Sequence, residues 1–401
     1  MTDKPPVLDF AIDWDHTDPQ WVADPFPIWE DLRERCPVAH TERYGGGWFP
    51  STYSGVSTIA KDTENFTSRS VVIANGRPGE EALPSPIGVA PPITSDPPFH
   101  QLARRLLLPA FAPGPINALE DQVRALCQRL LDQVEGHDVV NGGADYAQHI
   151  PTAVIRQMLG FPEADEELFR EFIHLIIDSV DMDPVEREDA MMPVIDYFTF
   201  QIEDHQANPR DDLTSYLLGV EVNGEKLAIE HVFGTMILIL VAGIDTTWSA
   251  IGASLWHLAK SPNDLARLVA EPDLMPIAIE ELLRFYAPVT MARLVKQDMD
   301  YLGCPMKEYD WIMLGFPAAN RDPAAFKDAD QFVIDRLENR HLAFGLGIHR
   351  CIGSNLARLE LRVAIEEFIA RYPTFTLADP DAVTWAPGMI RGPRHLPLRV
   401  R

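Results

Sequence analysis

The chain is short of cysteine, of positive charge and of long apolar runs. Four cysteines occur in 401 residues: Cys36, Cys127, Cys304 and Cys351. None stands in a C-x-x-C pair, and their scatter outlines no disulfide framework. A reducing, cytoplasmic setting is therefore expected. The 34 basic and 60 acidic side chains leave a net charge of −26. Phosphate would be repelled, so general nucleic-acid binding is excluded. The longest apolar run, Val232 to Ile244, is interrupted by Asp245 and is too short to cross a bilayer. The N-terminus, M-T-D-K-P-P-V-L-D-F, has no apolar signal core, so no membrane anchor is expected. Internal repeats, low-complexity tracts, a Gly-rich dinucleotide loop and a Walker motif are also missing.

The chain does have bulk for a core, with 46% hydrophobic residues. Residues 1–70 mix short helical and strand-like pieces. Residues 71–98, rich in Pro and Gly, read as a long irregular loop, and such loops are often binding loops or lids. Helices dominate from 98 to 285. In 116–134 the apolar residues, Cys127 among them, recur at helical spacing, which places Cys127 in the core. Pro162, Pro184 and Pro209 divide the helices of 150–220. From about Ala228 to Lys260 a helix is apolar on nearly all sides, as a central buried helix is. Pro276 opens a further helix and Pro288 closes it. Residues 289–320 look strand-like, 322–343 turn-rich and 352–372 helical, and short strands fill the tail. The expectation is a mainly α single domain over 1–401, with a minor β region from 1–70, 289–320 and the tail.

Cys351 is the most informative residue. It lies in F-G-L-G-I-H-R-C-I-G, residues 344–353, just before a helix. The helix dipole and the free first-turn N–H groups favour a thiolate there. Glycines around it let the backbone fold tightly and a flat, bulky group approach. Three readings fit this loop: an iron ligand, a small core residue, or a nucleophile with His349 as its base.

Other constellations carry chemistry in context. A-G-I-D-T-T, residues 242–247, sets a charge inside the buried helix, which costs several kcal/mol unless partnered. Gly243 leaves room beside the helix. Asp245 beside the Thr246 hydroxyl could relay protons, although a helix kink with a satisfied polar pair is the simpler reading of those residues alone. Glu281 and Arg284 in E-L-L-R share a helix face, and their apolar helix suggests a buried structural pair. His100 and Arg104, one turn apart, suit a carboxylate-bearing ligand, though taken alone they fit a solvated face better.

In this order the motifs resemble the cytochromes P450, the haem-thiolate monooxygenases. The resemblance runs from D-P-P-F-H-Q-L-A-R at 96, through A-G-I-D-T-T, E-L-L-R, A-N-R-D-P at 319 and F-V-I-D-R at 332, to the cysteine motif. It covers roughly three quarters of the chain, and so many ordered motifs rarely coincide by chance. It implies a P450-like fold whose long central helix crosses a haem b with an axial thiolate. By resemblance Cys351 is the iron ligand and Phe344 packs beside its sulfur. His100, Arg104, Arg293 and His349 bind the haem propionates, and Ala242 lies against the haem. Glu281, Arg284 and Arg336 form a structural triad, although the middle of F-V-I-D-R departs from the family's usual run. Asp245 and Thr246 deliver protons to dioxygen. Leu238, Val241, Ala242, Val289, Met291 and Met389 line the substrate pocket. None is charged, so a small, mainly apolar or aromatic substrate is expected to be hydroxylated or O-dealkylated.

The resemblance also implies partners. No flavin or iron–sulfur segment follows the tail strands, so electrons are expected from a ferredoxin and its reductase. The segment 340–362 offers Arg340, Arg350, Arg358 and Arg362 against the single acid Glu360, and a docking surface including Arg350 and Arg105 is expected on a monomer. The loop at 71–93 and the helices of 165–205 would form the lid. A peroxide-driven haem peroxygenase and a non-catalytic haem sensor are the alternatives. The Asp245–Thr246 pair argues against both.

Overall fold

The structure, a computed structural model, describes residues 5–79, 83–85, 88–178, 182 and 184–401. It is about 51% helical with small sheets, the mainly α architecture expected. At its centre a helix runs from Ile229 to Lys260. Val232, Leu240, Ile244, Ile251, Leu255 and Leu258 are all buried on it. The helix is long and apolar enough to cross a membrane, yet most of it is buried inside the protein, as a core helix is. It ends where Ser261 caps it and Pro262 opens the next helix. Pro is favoured there because the first turn needs no N–H partner. A β-carbon on Gly243 would come within 2.4 Å of Ile155 Cδ1, so the room the glycine leaves is filled by the helix His149–Met158.

The other helices pack around this axis. Ser354–Arg371 lies against both the central helix and Glu120–Gln133. The apolar stripe of 116–134 is split in two: Pro113–Asn117 and Glu120–Gln133 are separate helices. Cys127 is fully buried in the second, as expected. The expected lid helices are Glu166–Asp178 and Pro184–Ala207. Residues 80–82, 86–87, 179–181 and 183 of the expected lid lie outside the described residues.

The main sheet joins the two β portions read from the sequence. Its strand order is Val38–Thr41, Gly47–Pro50, Trp311–Leu314, Met291–Val295, Phe66–Thr67. Ile312 pairs with Trp48 in parallel and with Arg293 antiparallel. Trp14, Trp21, Trp29, Phe49 and Trp311 form the apolar core under this sheet. Other details differ from the sequence reading. Phe316–Ala319 is a short helix inside the expected strand region, with Pro317 in its first turn. Val139–Asn141 is a strand inside the expected helical region, paired with Pro397–Arg399 near the end of the chain. A three-residue strand whose partner lies so far downstream has no local periodicity to reveal it.

Candidate functional site

The cysteine loop is built by backbone geometry. Gly345 and Gly347 have φ of 64° and 68°, values that penalise any side chain. The Cys351 N–H donates to the Phe344 carbonyl at 2.8 Å and so closes the loop. Helix Ser354–Arg371 starts three residues later. Cys351 presents accessible surface, yet burial pushes its thiol above the ordinary value, against the lowering effects of the Gly353 backbone and of Arg104, Arg350 and Arg358. The two facts agree if the surface faces a space inside the protein. Burial dominates for the free thiol, and a coordinating metal removes that proton outright.

The same internal space shows on the central helix. Ala242 is exposed in the middle of a core helix, and Leu238, Val241 and Thr246 are part-exposed, whereas Ile239, Leu240, Ile244 and Asp245 are buried. Positions 238, 241, 242 and 246 share one helix face. Val289, Met291 and Met389 are also part-exposed, and Val289 forms an isolated bridge with Ile390.

Four basic side chains gather beside the cysteine. His100 and His349 lie edge to face, ring centroids 4.4 Å apart. Arg293 and Arg104 are close enough to shift both. Burial, then Arg293, His100 and Arg104, lowers His349 to about 2. Burial, then Arg104, lowers His100 to about 4. Burial alone lowers Arg293 to about 10, with Asp96 opposing it. No acid pairs with any of the four within 4.0 Å among the described residues. Asp96, the acid nearby, is engaged by Thr67 Oγ1 at 2.5 Å and the Ser68 N–H at 2.9 Å. Both ring nitrogens of His100 are buried without a hydrogen-bond partner, the Ile348 backbone coming close without meeting that geometry. His100 is thus buried, not on a solvated face. Two arginines and two buried histidines without a paired acid suit an anion, and two carboxylates beside a sulfur ligand are what haem brings. The residues fit that group. His349 Nε2 lies 3.0 Å from Ser68 Oγ.

Glu281 and Arg284 are fully buried and bidentate, at 2.7 and 2.8 Å. Glu281 also accepts from Arg336 Nε at 3.0 Å, Asn339 Nδ2 at 3.1 Å and the Val333 N–H at 2.8 Å. Arg284 donates onward to the carbonyls of Asn320, Ala329 and Gln331. The three residues of the expected triad are thus brought together, and they tie the helix Met275–Phe285 to the turn-rich segment before the cysteine loop.

Asp245 is 3% exposed and pairs with Arg394 at 2.6 Å. Thr246 Oγ1 donates to the Ala242 carbonyl at 2.8 Å. Sequence reading missed Arg394, because nothing in the spacing of the tail marks it. It also counted Glu360 only as the single acid of the segment 340–362. Glu360 is fully buried beside Thr247, and burial raises its carboxyl well above the ordinary value. Neither of its oxygens meets hydrogen-bond geometry. The four arginines of 340–362 divide into two bound to acids and two exposed. Arg358 is bound to Glu280, and Arg362 to Glu120 and Glu366. Arg105, Arg340 and Arg350 remain exposed.

The Cytochrome P450 family model matches residues 73–384. The chain belongs to the cytochrome P450 family. Polyketide biosynthesis cytochrome P450 PksS of Bacillus subtilis (strain 168) is 33% identical over 310 residues, 76% of each chain. The solved structure of PksS has a TM-score of 0.86 at 29% identity, covering 96% of this chain and 99% of that one. Mycinamicin IV hydroxylase/epoxidase of Micromonospora griseorubida is 30% identical, covering 92% of this chain and 94% of the relative. CYP109E1 from Bacillus megaterium, solved in complex with testosterone, has a TM-score of 0.85 at 30% identity, covering 94% and 98%. As a P450 similar to bacterial members, the chain is an oxidoreductase of monooxygenase type, and its family implies haem with thiolate ligation.

Proposed function

We propose that this P450 hydroxylates or O-dealkylates a small, mainly apolar or aromatic molecule, using dioxygen and two electrons from a ferredoxin and its reductase in the cytoplasm. The carrying observation is the cluster of His100, Arg104, Arg293 and His349, unpaired with acid, beside the accessible sulfur of Cys351. Haem bound there supplies oxygen activation, with thiolate electron push favouring O–O cleavage. Cys351 holds the iron, the four basic side chains hold the propionates, and Phe344, whose carbonyl anchors the Cys351 N–H, packs beside the sulfur. Glu281, Arg284 and Arg336 brace the approach to the loop. Asp245 supplies protons to the Thr246 hydroxyl, which faces the pocket. Leu238, Val241, Ala242, Val289, Met291 and Met389 exclude water and orient an apolar substrate. Polyketide-type skeletons and steroids, suggested by the relatives' names, are the classes to screen first.

The ferredoxin docks at exposed Arg105 and Arg350. Arg104, the chain neighbour of Arg105, is close enough to Arg350 to be shifted by it, so the two elements adjoin. Exposed Phe99, Leu102 and Leu108 lie on the same short stretch and add an apolar contact.

Two measurements test the function. Reduced, haem-loaded protein should show the red-shifted carbon monoxide band of a thiolate ligand, and its absence from folded protein refutes Cys351 as ligand. Product formed with ferredoxin, reductase and reductant should survive catalase. Product abolished by catalase would make the enzyme peroxide-driven.

A further inference from the structure

Buried N–H groups need an acceptor, and two of them line one cavity without having one. The cavity, about 20 Å³, is lined by His16, Trp21, Trp29, Thr290, Met389 and Arg391 among others, and no acid lines it. Trp21 and Trp29 come from the helices Pro19–Ala23 and Phe26–Arg35. Trp29 is 2% exposed. Its Nε1 and the Nε of Arg391 are both buried without a hydrogen-bond partner among the described residues. Arg391 is held in place by its other atoms. Its Nη2 donates to the carbonyls of Val22 at 3.3 Å and Ala23 at 3.0 Å. Its guanidinium carbon lies 4.3 Å from the centre of the Trp385 ring. No acid pairs with it within 4.0 Å among the described residues. Burial lowers Arg391 to about 10, and only Asp24, an exposed residue, opposes that.

One water needs about 10–15 Å³, so the cavity takes a single occupant of water size or slightly more. A water would accept from the two N–H groups and then need acceptors for its own protons. Carbonyls at hand are already engaged. Met389 accepts from the Thr290 N–H at 2.8 Å and from Thr290 Oγ1 at 3.1 Å, and Pro288 accepts from the Arg391 N–H at 2.7 Å. A monatomic anion only accepts, is little larger than a water, and supplies the charge that the guanidinium lacks. We propose that this cavity binds one halide ion, chloride in the cell, between Trp29 Nε1–H and Arg391 Nε–H, and that the ion braces the wall of the substrate pocket. The wall is the pair of segments 288–290 and 389–391, tied by the bonds just given and by the bridge between Val289 and Ile390. Pro288, Thr290, Met389 and Arg391 line the cavity. Val289, between two of them, takes the opposite side of an extended chain and belongs to the proposed pocket. The brace rests on that pocket assignment, whereas the ion site does not.

The test uses haem-loaded wild type, Trp29→Phe and Arg391→Gln. Wild-type crystals soaked in bromide should show an anomalous peak in contact with Trp29 Nε1 and Arg391 Nε. The peak should vanish in Trp29→Phe, which keeps an aromatic ring and loses the N–H. In solution, chloride should replace gluconate, an anion too bulky to enter, at constant ionic strength. The thermal midpoint of wild type should then rise saturably, by about 1–2 °C. Both variants should lose that rise. Phenylimidazole, which ligates haem iron and lays its ring in the pocket, reports on the wall. Its affinity by spectral titration should tighten about fivefold with chloride in wild type and stay constant in Trp29→Phe. The ion site is overturned if no peak appears there, if Trp29→Phe keeps the peak, or if the midpoint does not saturate by physiological ionic strength, about 0.15 M. A peak with unchanged phenylimidazole affinity overturns the brace alone. If Arg391→Gln does not fold, Trp29→Phe decides. Wild type lacking catalase-resistant product would sink the monooxygenase reading separately, and the diffraction and melting results would still judge the site.

Discussion

Replacing Glu281 by Gln gives a large effect from a nearly isosteric change. Two Glu281 oxygens serve five donors: Arg284 twice, Arg336, Asn339 and the Val333 N–H. The amide keeps one oxygen and sets an NH₂ against donors on the other side. It also leaves Arg284, fully buried, without its counter-charge. Removing one partner of a buried ion pair costs about 3–5 kcal/mol. A folded protein's net stability is only about 5–15 kcal/mol, so the loss is a large fraction of the whole. Arg336→Gln makes the internal comparison. It leaves the Glu281–Arg284 pair intact and removes one hydrogen bond to the carboxylate and others to the carbonyls of Lys327 and Asp328. Its expected cost is about 1–3 kcal/mol. Urea unfolding followed by far-ultraviolet circular dichroism, with and without added haem, measures both. A Glu281→Gln loss under about 1 kcal/mol, or one smaller than that of Arg336→Gln, would refute the argument that the buried charge pair dominates.

Charge reversal at Arg105 or Arg350 should slow reduction by the ferredoxin at low salt, with the difference fading as salt rises. Stopped-flow reduction rates check this, and an unchanged rate for Arg350→Glu removes the docking surface. Ala242→Phe should fill the internal space on the central helix and weaken binding of bulky substrates at least about tenfold, as overpacking costs roughly 1–3 kcal/mol. Spectral titration reads the affinity, and unaltered binding would place the pocket elsewhere. Glu360 has a folded value raised by burial, so its contribution is fully present below its ordinary value of 4.5 and is lost as pH rises toward the folded value. Glu360→Gln, which cannot ionise, should therefore gain on wild type as pH rises above that point, by up to about 1.4 kcal/mol per pH unit. Urea melts at several pH values measure the gap, and a constant gap means that Glu360 is not held neutral.

Much of this molecule was legible because its signals are local. The all-round apolarity of 229–260 marks a central helix, and Pro262 and Pro276 open helices where helix chemistry allows them. Glycines at positive φ around Cys351 announced a tight loop. What escaped depends on long-range partners. Val139–Asn141 becomes a strand only because Pro397–Arg399 pairs with it. Arg394 matters because the tail folds back over Asp245. Glu360 sits between Leu359 and Leu361, and its depth depends on the central helix packing against its own. Which arginines of 340–362 are bound could not be read locally either: Glu280, Glu120 and Glu366 reach Arg358 and Arg362 from other helices or from a later turn.

The cluster of His100, Arg104, Arg293 and His349 has a consequence for how the protein is made in a cell. Before the cofactor arrives, like-charged or proton-starved groups are forced together with no anion between them. An acidic ligand captured there stabilises the folded chain by binding it and not the unfolded one. Iron supply would set how much of this protein survives quality control, beyond setting how much of it is active. A culture starved of iron should lose the polypeptide itself through proteolysis of the open form, and inorganic phosphate or sulfate, as partial stand-ins for the missing carboxylates, should slow that loss in the test tube.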